Sequence, residues 1–303
     1  MKVFITGAAG FVGQELQAQC EQNGIDVVAV DLSKRKDDSR HIFCDIRSKN
    51  VADFIPEQVD AVIHLAGLTR NTDCKDNAYA CFDANVMATL NLMEACQRRK
   101  VKQFIFASSE WVYDNFRENE VITEETKIDM TQLDSEYAFS KLVSEQNLRQ
   151  KYRHGFCAVT ILRFGIIYGN RKQGWSAVES IFDAVLKQDE IKIGSLKTGR
   201  CFVHISDIIR GIIQSLGLDG FHIINLQGDQ FMTLGDIINI SKKVLHKNLK
   251  VIETDPDNIT ARHVSNQKAK KILGWTPHVN LEQGLIQFHD FLMTACVAEK
   301  NKQ

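Results

Sequence analysis

The chain has 303 residues, with 37 lysines and arginines against 38 aspartates and glutamates, a net charge of −1. That balance gives no electrostatic footprint for nucleic acid and no basic anchor for an anionic membrane. The composition, 44% hydrophobic and 25% charged, is that of an ordinary globular protein, and no apolar run approaches the roughly 20 residues that span a bilayer.

Residues 2–6 (KVFIT) read as a strand bounded by Gly7, and a helix follows from Phe11 to Asn23, stopped by Gly24. Further strands are predicted over 26–30, 41–44, 60–65, 102–107 and 157–163, with helices over 75–98 and 135–152. The strands are nearly continuous runs of Val, Ile and Phe, as parallel strands covered on both faces are. Strand–helix alternation with right-handed crossovers gives an α/β fold, a Rossmann-like doubly wound parallel sheet. From residue 166 the pattern loosens. Short strands at 190–193, 201–205 and 221–225 mix with helices near 176–187, 206–217, 233–246 and 281–296. We expect one domain over residues 1–165 and a smaller C-terminal α/β subdomain over 166–303, with a soft boundary because no flexible linker marks it.

The N-terminus, Met1 to Gly7, lacks the apolar region and cleavage site of a signal peptide and reads as a mature start. The eight cysteines form no Cys-x-x-Cys pair, and read as reduced, mostly buried thiols of a cytoplasmic protein. The nine histidines show no zinc-ligand spacing, so no metal is expected.

Thr6-Gly7-Ala8-Ala9-Gly10-Phe11-Val12-Gly13 lies directly after the first strand and opens the first helix. Glycines at 7, 10 and 13 allow a tight turn, close approach of backbone to a pyrophosphate, and close helix–strand packing. The helix N-terminus, at Phe11 and Val12, offers free N–H groups to the anion. The strand–turn–helix context is what distinguishes this loop from any glycine-rich loop. Asp31 ends the second strand, 18 residues beyond Gly13. An acid there accepts hydrogen bonds from the adenosine ribose hydroxyls and repels a 2′-phosphate, favouring NAD over NADP. Lys34 and Arg35 work the other way and leave NADP open. Asp45 and Ile46, after the third strand, are placed to border the adenine. On this reading residues 1–165 bind NAD and residues 166–303 bind substrate.

Tyr137 and Lys141 fall four residues apart on one face of a predicted helix. A nearby ammonium stabilises a phenolate and lowers its pKa, so this tyrosine is expected to exchange a proton with a hydroxyl or carbonyl near neutral pH. The fifth strand ends at Ser108-Ser109, and a serine at the carboxyl end of a parallel strand points into the ligand crevice. Ser109 is the candidate to hydrogen-bond the reacting oxygen. Ser108 is a candidate substrate contact or a turn cap.

With these residues assembled, the chain resembles the extended short-chain dehydrogenases/reductases, in the group of NAD-dependent nucleotide-sugar epimerases and dehydratases. Further matches carry the resemblance through the whole chain: His64-Leu65-Ala66-Gly67, Asn85 opening Asn-Val-x-x-Thr, Leu162-Arg163 with Tyr168-Gly169, Gly199-Arg200-x-Phe202-Val203-His204-x-x-Asp207, and Leu273-Gly274-Trp275-x-Pro277. The resemblance implies that Ser109, Tyr137 and Lys141 are catalytic, with Lys141 also holding the nicotinamide ribose. It implies that Leu65, Ala66 and Gly67 line the cofactor groove, that Asn85 orders it, and that Arg200 and Arg262 pair with a substrate pyrophosphate. It further implies a homodimer packed through helices 75–98 and 135–152.

The chain also departs from the family. Dehydratases carry an Asp-Glu pair after the catalytic serine or threonine. Here those positions hold Glu110 and Trp111, which keeps an acid next to the substrate and loses the base. The asparagine that contacts the sugar in many UDP-sugar enzymes is Ile166, the usual proline after Tyr-Gly is Asn170, and the usual glycine after Asn85 is Ala88. The leading expectation is an epimerase acting through a keto-sugar. The alternatives are an NAD(P)H-dependent 4-ketosugar or other carbonyl reductase, and a non-catalytic dinucleotide sensor on the same fold.

Overall fold

The computed structural model describes residues 1–33, 41–113 and 120–300, with side chains described to residue 295. Lys34 and Arg35 lie outside the described residues. Seven strands form one sheet: β1 (Lys2–Thr6), β2 (Asp26–Asp31), β3 (Ile42–Phe43), β4 (Ala61–His64), β5 (Gln103–Ser109), β6 (Ala158–Phe164) and β7 (Phe221–Leu226). Their order is β7-β6-β5-β4-β1-β2-β3, and every pairing is parallel. The order reverses between β1 and β4, so the chain leaves their carboxyl ends toward opposite faces and a crevice opens there.

Alternation along the strands sorts the core into two layers. Phe4, Val62, Phe104 and Phe106 face helix Ala88–Arg98 through Leu92 and Met93. Val3, Ile5, Ile63 and Ile105 face the other way, onto Leu16 of helix Phe11–Gln22 and Ile208, Ile209 and Ile212 of helix Ile205–Gln214. A third cluster, around Phe182, Ile237, Leu285 and Phe288, joins helices Ala177–Lys187, Leu234–Leu245 and Leu281–Lys300.

Chain beyond residue 166 therefore builds part of the first sheet. β7 pairs with β6 along its full length, from Phe221↔Val159 to Leu226↔Phe164. Trp275 is fully buried in the same layer as Val3 and Ile5, and its indole N–H donates to the Asp207 carbonyl at 2.8 Å. The Asp207 carboxylate in turn accepts from the backbone of His278 and Val279 (2.9 and 3.1 Å).

The predicted helix over 75–98 is interrupted. Short helices Asn71–Cys74 and Ala78–Phe82 precede a π-helical turn, Asp83–Met87, before helix Ala88–Arg98 begins. Cys74 and Cys81 fall on the two short helices with Cα atoms 5.0 Å apart and form a disulfide. This corrects the expectation of thiols throughout, because the bend between the helices brings together two cysteines that spacing alone leaves unrelated. Cys20, Cys44, Cys96, Cys157 and Cys201 are free thiols. Among the described residues no group of His, Cys, Asp or Glu is arranged to hold a metal ion, and no helix is long and apolar enough to cross a membrane.

Candidate active site

The carboxyl ends of β1, β4, β5 and β6 open onto a cleft of about 740 Å³. It is lined by Gly7, Gly10, Phe11, Val12, Gly13, Asp31, Asp45, Ile46, Leu65, Ala66 and Gly67 at one end, and by Ser108, Ser109, Tyr137 and Lys141 further in. The glycine loop is tight for steric reasons. Gly7 has φ +73°, and a Cβ there would lie 2.6 Å from the Ala66 nitrogen. A Cβ on Gly13 would overlap the Gly7 carbonyl oxygen. Gly10 precedes helix Phe11–Gln22 without a side-chain cap, and the first turn holds no acid, so its amides keep their donors for an anion.

Asp31 both faces the cleft and braces the loop. Its carboxylate accepts from the Ala9 amide at 2.9 Å and the Ser33 amide at 2.7 Å. Asp45 is gripped by Arg47, at 2.9 Å through Nε and 2.7 Å through Nη2, and this holds its carboxyl below the usual range. Arg47 also reaches Asp83 at 2.9 Å and lines the cleft, a residue that sequence reasoning passed over because no motif marks it.

Behind the cleft a chain of hydrogen bonds joins the loop to the interrupted helix. The Ala66 amide donates to Thr6 Oγ1 (3.3 Å), which meets His64 Nδ1 at 2.8 Å. His64 Nε2 meets Thr89 Oγ1 at 2.9 Å, and Thr89 donates to the Asn85 carbonyl at 2.6 Å. A neutral ring protonated on Nε2 satisfies every link. Burial, followed by the charge of Lys141, pushes the His64 pKa down to about 3. The Asn85 side chain clasps Leu68, accepting from its amide at 2.8 Å and donating to its carbonyl at 3.1 Å. Asn85 Oδ1 is so close that a Cβ on Gly67 (φ +151°) would come within 2.6 Å of it. Asn85 thus shapes the groove from behind and does not itself line it.

Tyr137, Lys141 and Ser109 converge at the inner end, only 6, 3 and 7% exposed. Helix Glu136–Arg153 is capped by the Ser135 hydroxyl, which accepts from the Ala138 amide at 3.2 Å, so Tyr137 lies in its first turn. Lys141 Nζ donates to the Ala107 carbonyl at 3.0 Å and lies 6.0 Å from the Tyr137 ring centroid. Burial pushes the Tyr137 pKa up to about 12, with the hydrogen bond from Ser109 acting against it. Burial also brings the Lys141 pKa down to about 8, opposed by Glu145. The expected lowering of the tyrosine pKa by the ammonium is therefore corrected: desolvation of the phenolate dominates, and what opposes it is the Ser109 hydrogen bond.

Ser108 turns to the interior, donating to Glu145 at 2.6 Å. Glu145 forms a buried ion pair with Arg163 (2.6 Å to Nη2, 2.9 Å to Nε), and Arg163 Nη1 reaches the Tyr113 hydroxyl at 2.6 Å. Glu110 is 1% exposed. Arg200 Nε approaches its carboxylate at 3.7 Å and Arg262 Nη1 at 4.0 Å. With its amide oriented to make both bonds, Gln227 donates to Glu110 at 3.0 Å and accepts from the Gly165 amide at 3.0 Å. The structure thus brings Arg200 and Arg262 together on Glu110, beside the cleft wall, and the Arg262 guanidinium lies 5.1 Å from the Trp111 ring centroid.

The crevice and sheet order are those of a dinucleotide-binding doubly wound fold, and the chain is an NAD-dependent enzyme of the extended short-chain dehydrogenase/reductase type. Residues 3–226 match the NAD dependent epimerase/dehydratase family, and the chain belongs to it. It is similar to the UDP-glucuronate 4-epimerase of Thermodesulfobacterium geofontis, 28% identical over 93% of each chain. Among solved structures it is similar to MoeE5 in complex with UDP-glucose and NAD, with a TM-score of 0.86 and 25% identity over 98% of this chain and 100% of that one. It is similar also to the UDP-glucuronic acid 4-epimerase of Bacillus cereus in complex with UDP-glucuronic acid and NAD, with a TM-score of 0.83 and 26% identity over 97% and 100%.

Proposed function

We propose that the chain is a nucleotide-sugar epimerase that retains NAD and works through a transient keto-sugar. The observation that carries this reading is the buried Ser109–Tyr137–Lys141 set at the inner end of a glycine-lined cleft. The loop suits a dinucleotide, because glycine at 7 and 13 lets it turn tightly where a side chain would collide with backbone, and its helix amides lack a cap. Gly7, Gly10 and Gly13, with the first amides of helix Phe11–Gln22, would hold the pyrophosphate. Asp31 would take the adenosine ribose, Ile46 and Asp45 would border the adenine, and Lys141 would hold the nicotinamide ribose. NAD, when bound, supplies a reversible hydride acceptor.

The chain's own part is proton management. Ser109 hydrogen-bonds the sugar hydroxyl and keeps it against Tyr137. Tyr137 takes that proton as the carbonyl forms and returns it when the carbonyl is reduced from the opposite face. Lys141 supports the phenolate with its charge, and the buried position excludes water. Arg200 and Arg262 serve the substrate diphosphate. In this reading residues 166–303 form the substrate-binding subdomain, with β7, helix Ile205–Gln214 and Trp275 lent to the sheet layer. The large exposure of Tyr79, Met87 and Phe139 on the helices named for dimerisation supports a homodimer. Light scattering should give two chain masses, and one mass would overturn it.

The test is to denature the purified protein and identify the released dinucleotide by chromatography. Near-stoichiometric NAD is the expected result. Protein that carries none and prefers NADPH over NADH would overturn the epimerase in favour of a ketosugar reductase. Protein that binds neither would remove the cofactor argument.

A further inference from the structure

The inner end of the cleft is walled by carbon. Leu68 and Trp111 pack against Tyr137. Phe164 is paired with Ser109 across β5 and β6, and Ile166 follows it along the same wall. The polar side chains nearby on the second half of the chain are already engaged. The Trp175 indole N–H donates to the Arg171 carbonyl at 2.8 Å. Arg171 donates to Glu179 (2.8 Å) and to the Ile167 carbonyl (3.1 Å). Ser176 donates to Glu179 and accepts from the Val178 amide at 3.2 Å. Ser108, which also lines the cleft, is committed to Glu145.

A substrate carbon undergoing oxidation must lie against Ser109 and Tyr137. In a hexopyranose oxidised at C4, that carbon's neighbours carry the C3 hydroxyl and, on C5, the exocyclic C6. Trp111 lines the cleft and packs against the cluster that holds Tyr137, so its ring borders the reacting position. The Arg262 guanidinium braces that ring. C6 is where hexoses interchange methyl, hydroxymethyl and carboxylate. A hydroxymethyl or carboxylate pressed on this wall loses water without gaining a partner, whereas a methyl gains from burial.

We infer that the sugar of the natural substrate is a 6-deoxyhexose, whose C6 methyl packs on Trp111, Phe164 and Ile166. This rests on the nucleotide-sugar reading above and narrows it. Arg70, exposed at the mouth beside Gly174, is the cation that would favour a carboxylate instead, and the test includes that outcome.

The experiment holds the nucleotide constant and varies only C6. Turnover and equilibrium binding are measured for UDP-6-deoxyglucose, UDP-glucose and UDP-glucuronate on the NAD-loaded protein. The 6-deoxy sugar should exceed UDP-glucose in kcat/KM by roughly 10-fold or more, with UDP-glucuronate lower still. Ile166→Asn restores a hydrogen-bonding side chain and should shrink that ratio. Equal or reversed preference in the wild-type protein overturns the inference and leaves the epimerase reading standing. Failure to bind or turn over any of the three, with NAD in place, overturns both. The wild-type ratio decides the matter even where the variant does not fold.

Discussion

The two ends of the cleft are made in different ways. The glycine loop at one end is one continuous stretch, residues 6–13, closed against the chain that follows β4. Its shape follows from backbone contacts that admit no side chain. The inner end is assembled from Leu68, Trp111, Ile166 and Trp175, which are far apart in sequence. Neighbouring side chains, including Arg262 on Trp111 and Gln227 against Gly165, hold it in place. A feature set by backbone geometry tolerates almost no change and serves one ligand. A feature set by scattered side chains can be altered one residue at a time, as specificity for a sugar requires.

Substitutions should divide along that line. Tyr137→Phe keeps the buried ring and removes the proton carrier, so kcat should fall by about 10²–10⁴ with NAD still bound after purification. Turnover near the wild-type rate would refute the assigned proton transfer. Arg163→Ala leaves Glu145 buried and unpaired under Ser108, and should cost about 3–5 kcal/mol, read by denaturant unfolding. A loss under 1 kcal/mol would show that the pair does not support the site's floor.

Lys141→Met tests the conflict between function and stability. The folded-state pKa of Lys141 is about 8, below its ordinary 10.5, so folding is penalised while the amine is charged. Below pH 8 the Met variant should be more stable by about 3 kcal/mol, while its turnover collapses. Between pH 8 and 10.5 the unfolded chain binds the proton that the folded chain lacks, so wild-type stability rises and the advantage of Met fades. A pH-independent difference would contradict the assignment. The smallest change is expected from Cys74→Ser, about 2 kcal/mol from opening a short loop, with the melting temperature becoming indifferent to reductant.

Much of the geometry of the glycine-loop end was legible in sequence because its determinants are local. The strand, the glycines at 7, 10 and 13, and Asp31 fall within one β–α–β unit. Tyr137 and Lys141 were legible for the same reason, being one helical turn apart. What escaped depends on distant pairing. The run 221–225 reads equally well as a strand of a small subdomain, and only its register with β6 makes it the edge of the main sheet. The Arg163–Glu145 pair, which turns Ser108 inward, joins a strand to a helix 18 residues upstream. The direction of the Tyr137 pKa was misread because spacing reports a neighbouring ammonium but not the burial that dominates the shift. The π-helical turn escaped because it is stabilised from outside: Thr89 and Ser144 both donate to the Asn85 carbonyl, at 2.6 and 2.9 Å.

The hydroxyl–imidazole chain from Ala66 through Thr6, His64 and Thr89 to Asn85 has a thermodynamic consequence. Its histidine stays neutral far below physiological pH, so the chain does not slacken as acidity changes. The backbone over residues 64–68 is therefore held in place by the protein's own bonds, and on the proposed reading association forfeits little conformational entropy. Amides of residues 64–68 should rank among the slowest to exchange with deuterium in the ligand-free protein, and the complex should dissociate slowly enough to survive many catalytic cycles.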